Sequence, residues 1–124
     1  MKTEERTKEQ PKEIYDLEER TFFFAKDVRE LVRKLPKTIG NIEDGKQLVR
    51  ASGSVGANYL EADDNLGRKD EINKLRISRK EACESRYWLR LLDPGEALES
   101  ERQRLAQEAK ELMLIFSSIL RKLE

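Results

Sequence analysis

At 124 residues the chain has the length of one domain, and its residues are 40% charged, 37% apolar and only 6% aromatic. Lys and Arg (25) balance Asp and Glu (25), so no overall positive field draws in nucleic acid or anionic lipid. Three prolines and six glycines give too little turn punctuation for a β-sandwich, and the absence of histidine excludes Ser-His-Asp and Cys-His catalysis, His metal ligands and the Glu-x-x-His pairs of di-iron bundles.

Residues 1–13 (MKTEERTKEQPKE) are polar, carry Pro11 and lack apolar periodicity, which predicts a disordered or frayed arm ahead of a single domain over 14–124. They also lack the apolar core of a signal peptide, and no apolar run approaches the ~20 residues that span a bilayer. With Cys83 as the single cysteine, the expectation is a soluble cytoplasmic protein without an internal disulfide.

Four helical segments follow. Asp16 with Glu19 reads as an acidic capping box, and Leu17, Thr21, Phe24, Val28, Leu31 and Leu35 repeat at spacings of 4 and 3, one core-facing stripe that ends at Pro36. The second helix is expected to open near Asn41, with Asp44 completing a weaker box, and to run to about Asn65 with the seam Leu48, Ser52, Val55, Tyr59, Ala62, Leu66. The third opens at Gly67 and runs to about Leu92 with the seam Leu75, Ser78, Ala82, Ser85, Leu89, Leu92. After the turn Asp93-Pro94-Gly95, the fourth covers roughly 97–123 with Leu98, Leu105, Ala109, Leu112, Phe116, Ile119 and Leu123 inward. Rods of this kind, roughly 30–40 Å long and joined by short turns, form an all-α, antiparallel up-down-up-down four-helix bundle. The small seam residues of the second and third helices predict that this pair approaches closely.

Beside its apolar seam the second helix carries a polar row, Gln47, Arg50, Ser54, Asn58, Glu61 and Asn65, all on one face. The third carries Ile77, Glu81, Glu84, Trp88 and Leu91, two carboxylates with a large aromatic. These rows predict a partly buried polar network in which Arg50, Asn58 and Glu61 meet Glu81 or Glu84, or a subunit contact. Against this stands the plain alternative of solvated helix faces with incidental ion pairs. A catalytic or metal-binding trio of Glu61, Glu81 and Glu84 is disfavoured, because Arg50, Arg79 and Lys80 would compete with a cation and only Cys83 could add a nitrogen or sulfur ligand. No catalytic residue, metal or cofactor is assigned.

Lys69, Arg76, Arg79, Lys80, Arg86 and Arg90 fall within about a third of the third helix's circumference, with Tyr87 on the same arc. A basic stripe containing an aromatic suits a phosphate backbone, although the acidic second helix (Glu43, Asp44, Glu61, Asp63, Asp64) could neutralise it. Phe22 and Phe23 lie off the first seam and suggest either a protein–protein patch or a widened core stripe. Gly53 and Gly56 have neither a preceding strand nor a following Gly-Lys-Ser, so they are not a phosphate loop but a place where another backbone comes close.

Several segments in order resemble one bacterial family: Asp16-Leu-Glu-Glu-Arg-Thr-Phe-Phe-Phe-Ala25, Leu35-Pro36, Gln47-Leu-Val-Arg-Ala-Ser-Gly-Ser-Val-Gly-Ala-Asn-Tyr-Leu-Glu-Ala62 and Lys80-Glu-Ala-Cys-Glu-Ser-Arg-Tyr-Trp-Leu-Arg-Leu-Leu92. This is the four helix bundle protein family, also called the 23S rRNA intervening-sequence protein family, and the resemblance covers about residues 15–123. Gly67 departs from it, standing where the family usually has a serine. The resemblance implies an antiparallel bundle that assembles into a homo-oligomer, commonly a pentameric ring; it does not imply a catalytic activity, and the family's molecular role is largely unassigned. A more distant similarity, to the accessory proteins of diversity-generating retroelements, implies a reverse transcriptase and nucleic acid as partners. The combined expectation is a non-enzymatic homo-oligomer that binds RNA or DNA through the third helix, with a protein adaptor as the alternative.

Overall fold

The computed structural model describes residues 16–63 and 67–124, with the side chain of Asp63 excepted. The expected N-terminal arm, Asn65 and Leu66 therefore lie outside the described residues. Four α-helices follow one another: α1 (Leu17–Lys34), α2 (Ile39–Asp63), α3 (Arg68–Leu91) and α4 (Glu99–Leu123), the last preceded by a 3-10 turn at Glu96–Leu98. Consecutive helices pack side by side and α4 returns to α1, which closes an up-down-up-down four-helix bundle. Among the described residues there is no strand.

The core is the meeting of four apolar stripes. Phe24, Val28 and Leu31 of α1 join Leu48 and Val55 of α2, Leu75, Ala82 and Leu89 of α3, and Leu105, Leu112 and Phe116 of α4. Every residue of the first and third predicted seams is buried. Tyr59 is half-buried and tilts against Phe116 across the bundle, with ring centroids 6.0 Å apart.

The α2–α3 pair is close because small side chains, Ser52, Ser78, Ala82 and Ser85, line its seam. Ser78 is wholly buried and its Oγ donates to the Val55 carbonyl oxygen at 2.9 Å, which a longer seam side chain would prevent. Gly45 and Gly56 of α2 serve the opposite contact, with α1. A Cβ on Gly56 would lie 2.9 Å from Thr21 Oγ1 and 3.1 Å from Thr21 Cβ of α1, and one on Gly45 would lie 3.3 Å from Val32. Thr21 cannot yield easily: it is buried and its hydroxyl donates to the Leu17 carbonyl at 2.7 Å.

The helix ends differ in part from the sequence expectation. Neither Asp16 nor Gly67 makes a side-chain cap, although acidic residues in the first turns (Glu18, Glu19; Asp70, Glu71) still complement the helix dipole. α2 begins earlier than Asn41, because Thr38 Oγ accepts from the Asn41 amide at 3.1 Å and caps the helix instead. Asn41, freed from capping, is buried and fastens two turns together. Its side-chain Nδ2 donates to the carbonyls of Pro36 (3.0 Å) and Asp93 (2.8 Å), and its Oδ1 accepts from the Asp93 backbone amide (2.9 Å). Gly95 closes the same end with φ 83°, a left-handed conformation that favours glycine.

Two glycine substitutions separate helix propensity from packing. Gly40→Ala meets nothing within 4 Å and is expected to stabilise the bundle by about 0.5–1 kcal/mol through propensity alone. Gly56→Ala has the same propensity gain but must displace Thr21, so a net loss of about 1–2 kcal/mol is expected. Chemical denaturation of both variants checks the opposite signs.

Candidate nucleic-acid interface

The α2–α3 flank brings part of the two predicted polar rows together. Arg50 of α2 lies between two carboxylates of α3, its guanidinium 3.7 Å from Glu81 and 3.5 Å from Glu84. Glu81 is buried, whereas Arg50 and Glu84 are open to solvent, so the contact is an ion pair at the rim of the core. Asn58 does not join it; its amide donates back to the Ser54 carbonyl at 2.9 Å, the ordinary self-satisfaction of a polar residue inside a helix. Glu61 does not join it either, because it holds Lys74 at 2.7 Å, a contact that raises the Lys74 pKa through a hydrogen bond and charge attraction. Next to Arg50, Glu81 Oε1, Ser85 Oγ and Trp88 Nε1 follow one another along a stripe of α3. All three are buried without a hydrogen-bond partner among the described residues.

The α1–α4 flank carries the stronger electrostatics, which the sequence reading missed. Arg20 donates to Glu108 through Nε (2.7 Å) and Nη2 (3.0 Å), and again to Glu111 (2.8 Å). Burial opposes the Arg20 charge, but the hydrogen bonds and charges of Glu108 and Glu111 outweigh it and raise its pKa. Arg104 bridges Glu101 and Asp27 in the same way; the hydrogen bond to Glu101 raises its pKa further, against burial, with Asp27 adding to the effect. The signal for this was present: Glu108 sits three residues after Leu105 and four before Leu112, on the core stripe, where a carboxylate needs a cation. Phe23 is buried and Phe22 is 53% exposed, so the two adjacent rings have different fates, although they meet edge-on at 5.4 Å.

The basic stripe lies on the side of α3 away from Arg50. At 100° per residue, the arc from Arg79 through Cys83 to Lys80 contains no acidic residue of α3, since Glu81 and Glu84 fall toward α2 or the outer surface. The arc turns toward α4, as two terminal contacts show: Arg68 donates to the Leu123 carbonyl (2.8 Å), and Arg76 pairs with Glu124. Arg76 is thereby occupied. Lys69, Arg79, Lys80, Arg86 and Arg90 have no acidic side chain within salt-bridge distance among the described residues. Among the described residues the acids of α2 do not pair with them: Glu61 engages Lys74 on the other flank and Glu43 lies beside Lys46, while the side chains of Asp63 and Asp64 lie outside the described residues. Tyr87 is 57% exposed on the same arc and Cys83 is exposed one turn before it.

Among the described residues no three His, Cys, Asp or Glu side chains converge as they would around a metal ion, and no helix is long and apolar enough to cross a membrane. The geometry defines a four-helix bundle with one ion-paired flank between α2 and α3, a second between α1 and α4, and a basic arc on α3 in which, among the described residues, Arg76 alone has an acidic partner. The chain belongs to the 23S rRNA-intervening sequence protein family, whose pattern matches residues 13–118. It is similar to a crystallised protein of unknown function from the S23 ribosomal protein family of Bacteroides thetaiotaomicron. The two share 29% sequence identity and a TM-score of 0.74, over 87% of this chain and 97% of the other. No curated protein matches the chain.

The Arg20–Glu108 pair supplies a stability test. Arg20→Leu leaves Glu108 buried beside α1 without its main partner, and a loss of about 3 kcal/mol is expected. The double variant Arg20→Leu/Glu108→Leu removes both charges and is expected to recover most of that loss in urea denaturation.

Proposed function

We propose that this member of the family is a non-enzymatic assembly protein that holds RNA or other nucleic acid on the basic flank of α3. The observation that carries this reading is the set of five α3 cations, Lys69, Arg79, Lys80, Arg86 and Arg90, without an acidic partner among the described residues, in a chain whose formal charges cancel as a whole. Ion pairs elsewhere tie up many of the acids: Glu61, Glu81 and Glu84 on one flank, Asp27, Glu101, Glu108 and Glu111 on the other. A neutral chain thus keeps a local positive field, and phosphate contact needs only the local field. The working form is a homo-oligomer, the pentameric ring that the family resemblance implies, built on faces outside the core. Phe22 of α1, Ile39, Ile42 and Leu60 of α2 and Leu114 of α4 are exposed large apolar side chains available for such contacts.

The alternative, a protein adaptor that docks a reverse transcriptase, is supported by the same exposed Phe22. On that reading the gene should neighbour a reverse-transcriptase gene with a template repeat, and the α3 arc would be dispensable.

Phosphate binding has a salt signature. If the five cations each neutralise a phosphate, affinity for RNA should fall roughly 100- to 500-fold between 50 and 200 mM salt in a filter-binding titration. Retention of neither RNA nor DNA at 50 mM salt contradicts the proposal.

A further inference from the structure

We infer that the α3 arc is built for single-stranded nucleic acid, with one base stacked on Tyr87 while Lys80 and Arg90 hold the flanking phosphates; this rests on the nucleic-acid reading and narrows it. Tyr87 is the aromatic in the row, and more than half of its surface is open. Its ring is held in place: it meets Trp88 edge-on, with centroids 5.1 Å apart and planes at 74°. Trp88 packs against the core in turn, so Tyr87 stands on a fixed support. An exposed, braced ring offers a π-face to any base, at little further loss of freedom.

The surrounding charges are spaced for a backbone running past that ring. Arg90 lies three residues after Tyr87 and Lys80 seven before it, both positions on the same helix face and both exposed. Cys83 lies between Lys80 and Tyr87 on that face and is exposed. From Lys69 to Arg90 the row spans roughly 30 Å along the helix, enough for several nucleotides.

A duplex fits this surface poorly. Entering a major groove about 12 Å wide takes a helix that stands clear of its neighbours, and α3 is flanked by α2 on one side and α4 on the other along its length. The A-form major groove of RNA is narrower still, and bases in a stacked duplex offer Tyr87 no face. A single strand can lay its phosphates along Lys80 and Arg90 and turn a base onto the ring.

Two native reporters flank the proposed stack: Trp88, the sole tryptophan, and Cys83, the sole cysteine. The full-length protein is titrated with a ten-nucleotide single strand of RNA, the same sequence as DNA, the corresponding duplexes, and inorganic polyphosphate as a base-free polyanion. The proposal expects both single strands to bind more tightly than their duplexes, to quench Trp88 and to protect Cys83 from maleimide. Polyphosphate should bind without the same quenching. Tyr87→Ala should weaken single-strand binding roughly tenfold and leave polyphosphate affinity within about twofold, and Tyr87→Phe should restore the single-strand affinity. RNA and DNA strands binding alike assigns recognition to base and phosphate; RNA alone adds the 2′-hydroxyl to the same stacked arrangement. Duplexes binding as tightly as single strands, or Tyr87→Ala lowering both affinities equally, overturns the inference and leaves the nucleic-acid reading standing. Failure of every nucleic acid to bind removes both. Thermal denaturation of each variant confirms that the bundle is intact.

Discussion

The small-residue contact between α2 and α3 sets the orientation on which the charge pattern depends. Ser78 reaches the Val55 carbonyl directly, and Ala82 and Ser85 continue the same narrow seam. With that strip of α3 pressed inward, the angular positions of every other α3 side chain follow from the helix period. Lys74, Glu81 and Glu84 turn toward α2 and meet Glu61 and Arg50. The arc from Arg79 to Lys80 turns toward α4 and solvent. Sequence balance alone says the protein is neutral; the packing decides that its charges are segregated.

The two paired flanks differ in physical character. Arg20 and Glu108 are nearly buried and joined by two hydrogen bonds, so they fix how α4 closes on α1. Arg50 and its carboxylates sit farther apart and partly in water, where such contacts contribute little to stability. Beside them, polar atoms of Glu81, Ser85 and Trp88 are buried without a hydrogen-bond partner among the described residues. The α2–α3 flank is held by backbone proximity, and the α1–α4 flank by charge.

The helix stripes were legible because burial imposes a 3.6-residue period: every residue of the first and third seams is buried, with Phe23 and Glu81 buried beside them. Helix starts were less so: Asn41 has a capping residue's chemistry, but Thr38 supplies the cap, and the bonds from Asn41 to Pro36 and Asp93 depend on two turns meeting in space. Phe22 and Phe23 could not be told apart, since both lie beside the stripe and only the placement of neighbouring helices separates exposed from buried. In the polar rows, Arg50 with Glu81 and Glu84 was foreseeable from facing positions. Asn58 and Glu61 instead found nearer partners, one within its own helix and one in Lys74. The direction of the basic arc depends on which flank of α3 lies against α2, a tertiary fact that periodicity does not contain.

The central claim is that cations on one flank of α3 are available to phosphate while those on the other are not. The slope of log affinity against log salt for an RNA strand tests it flank by flank. Replacing Arg79, Lys80, Arg86 and Arg90 with Gln, one at a time, should lower the magnitude of the slope by roughly 0.7–0.9 each, and replacing Arg50 or Lys74 should leave it unchanged. Equal slopes for the two sets would contradict the account.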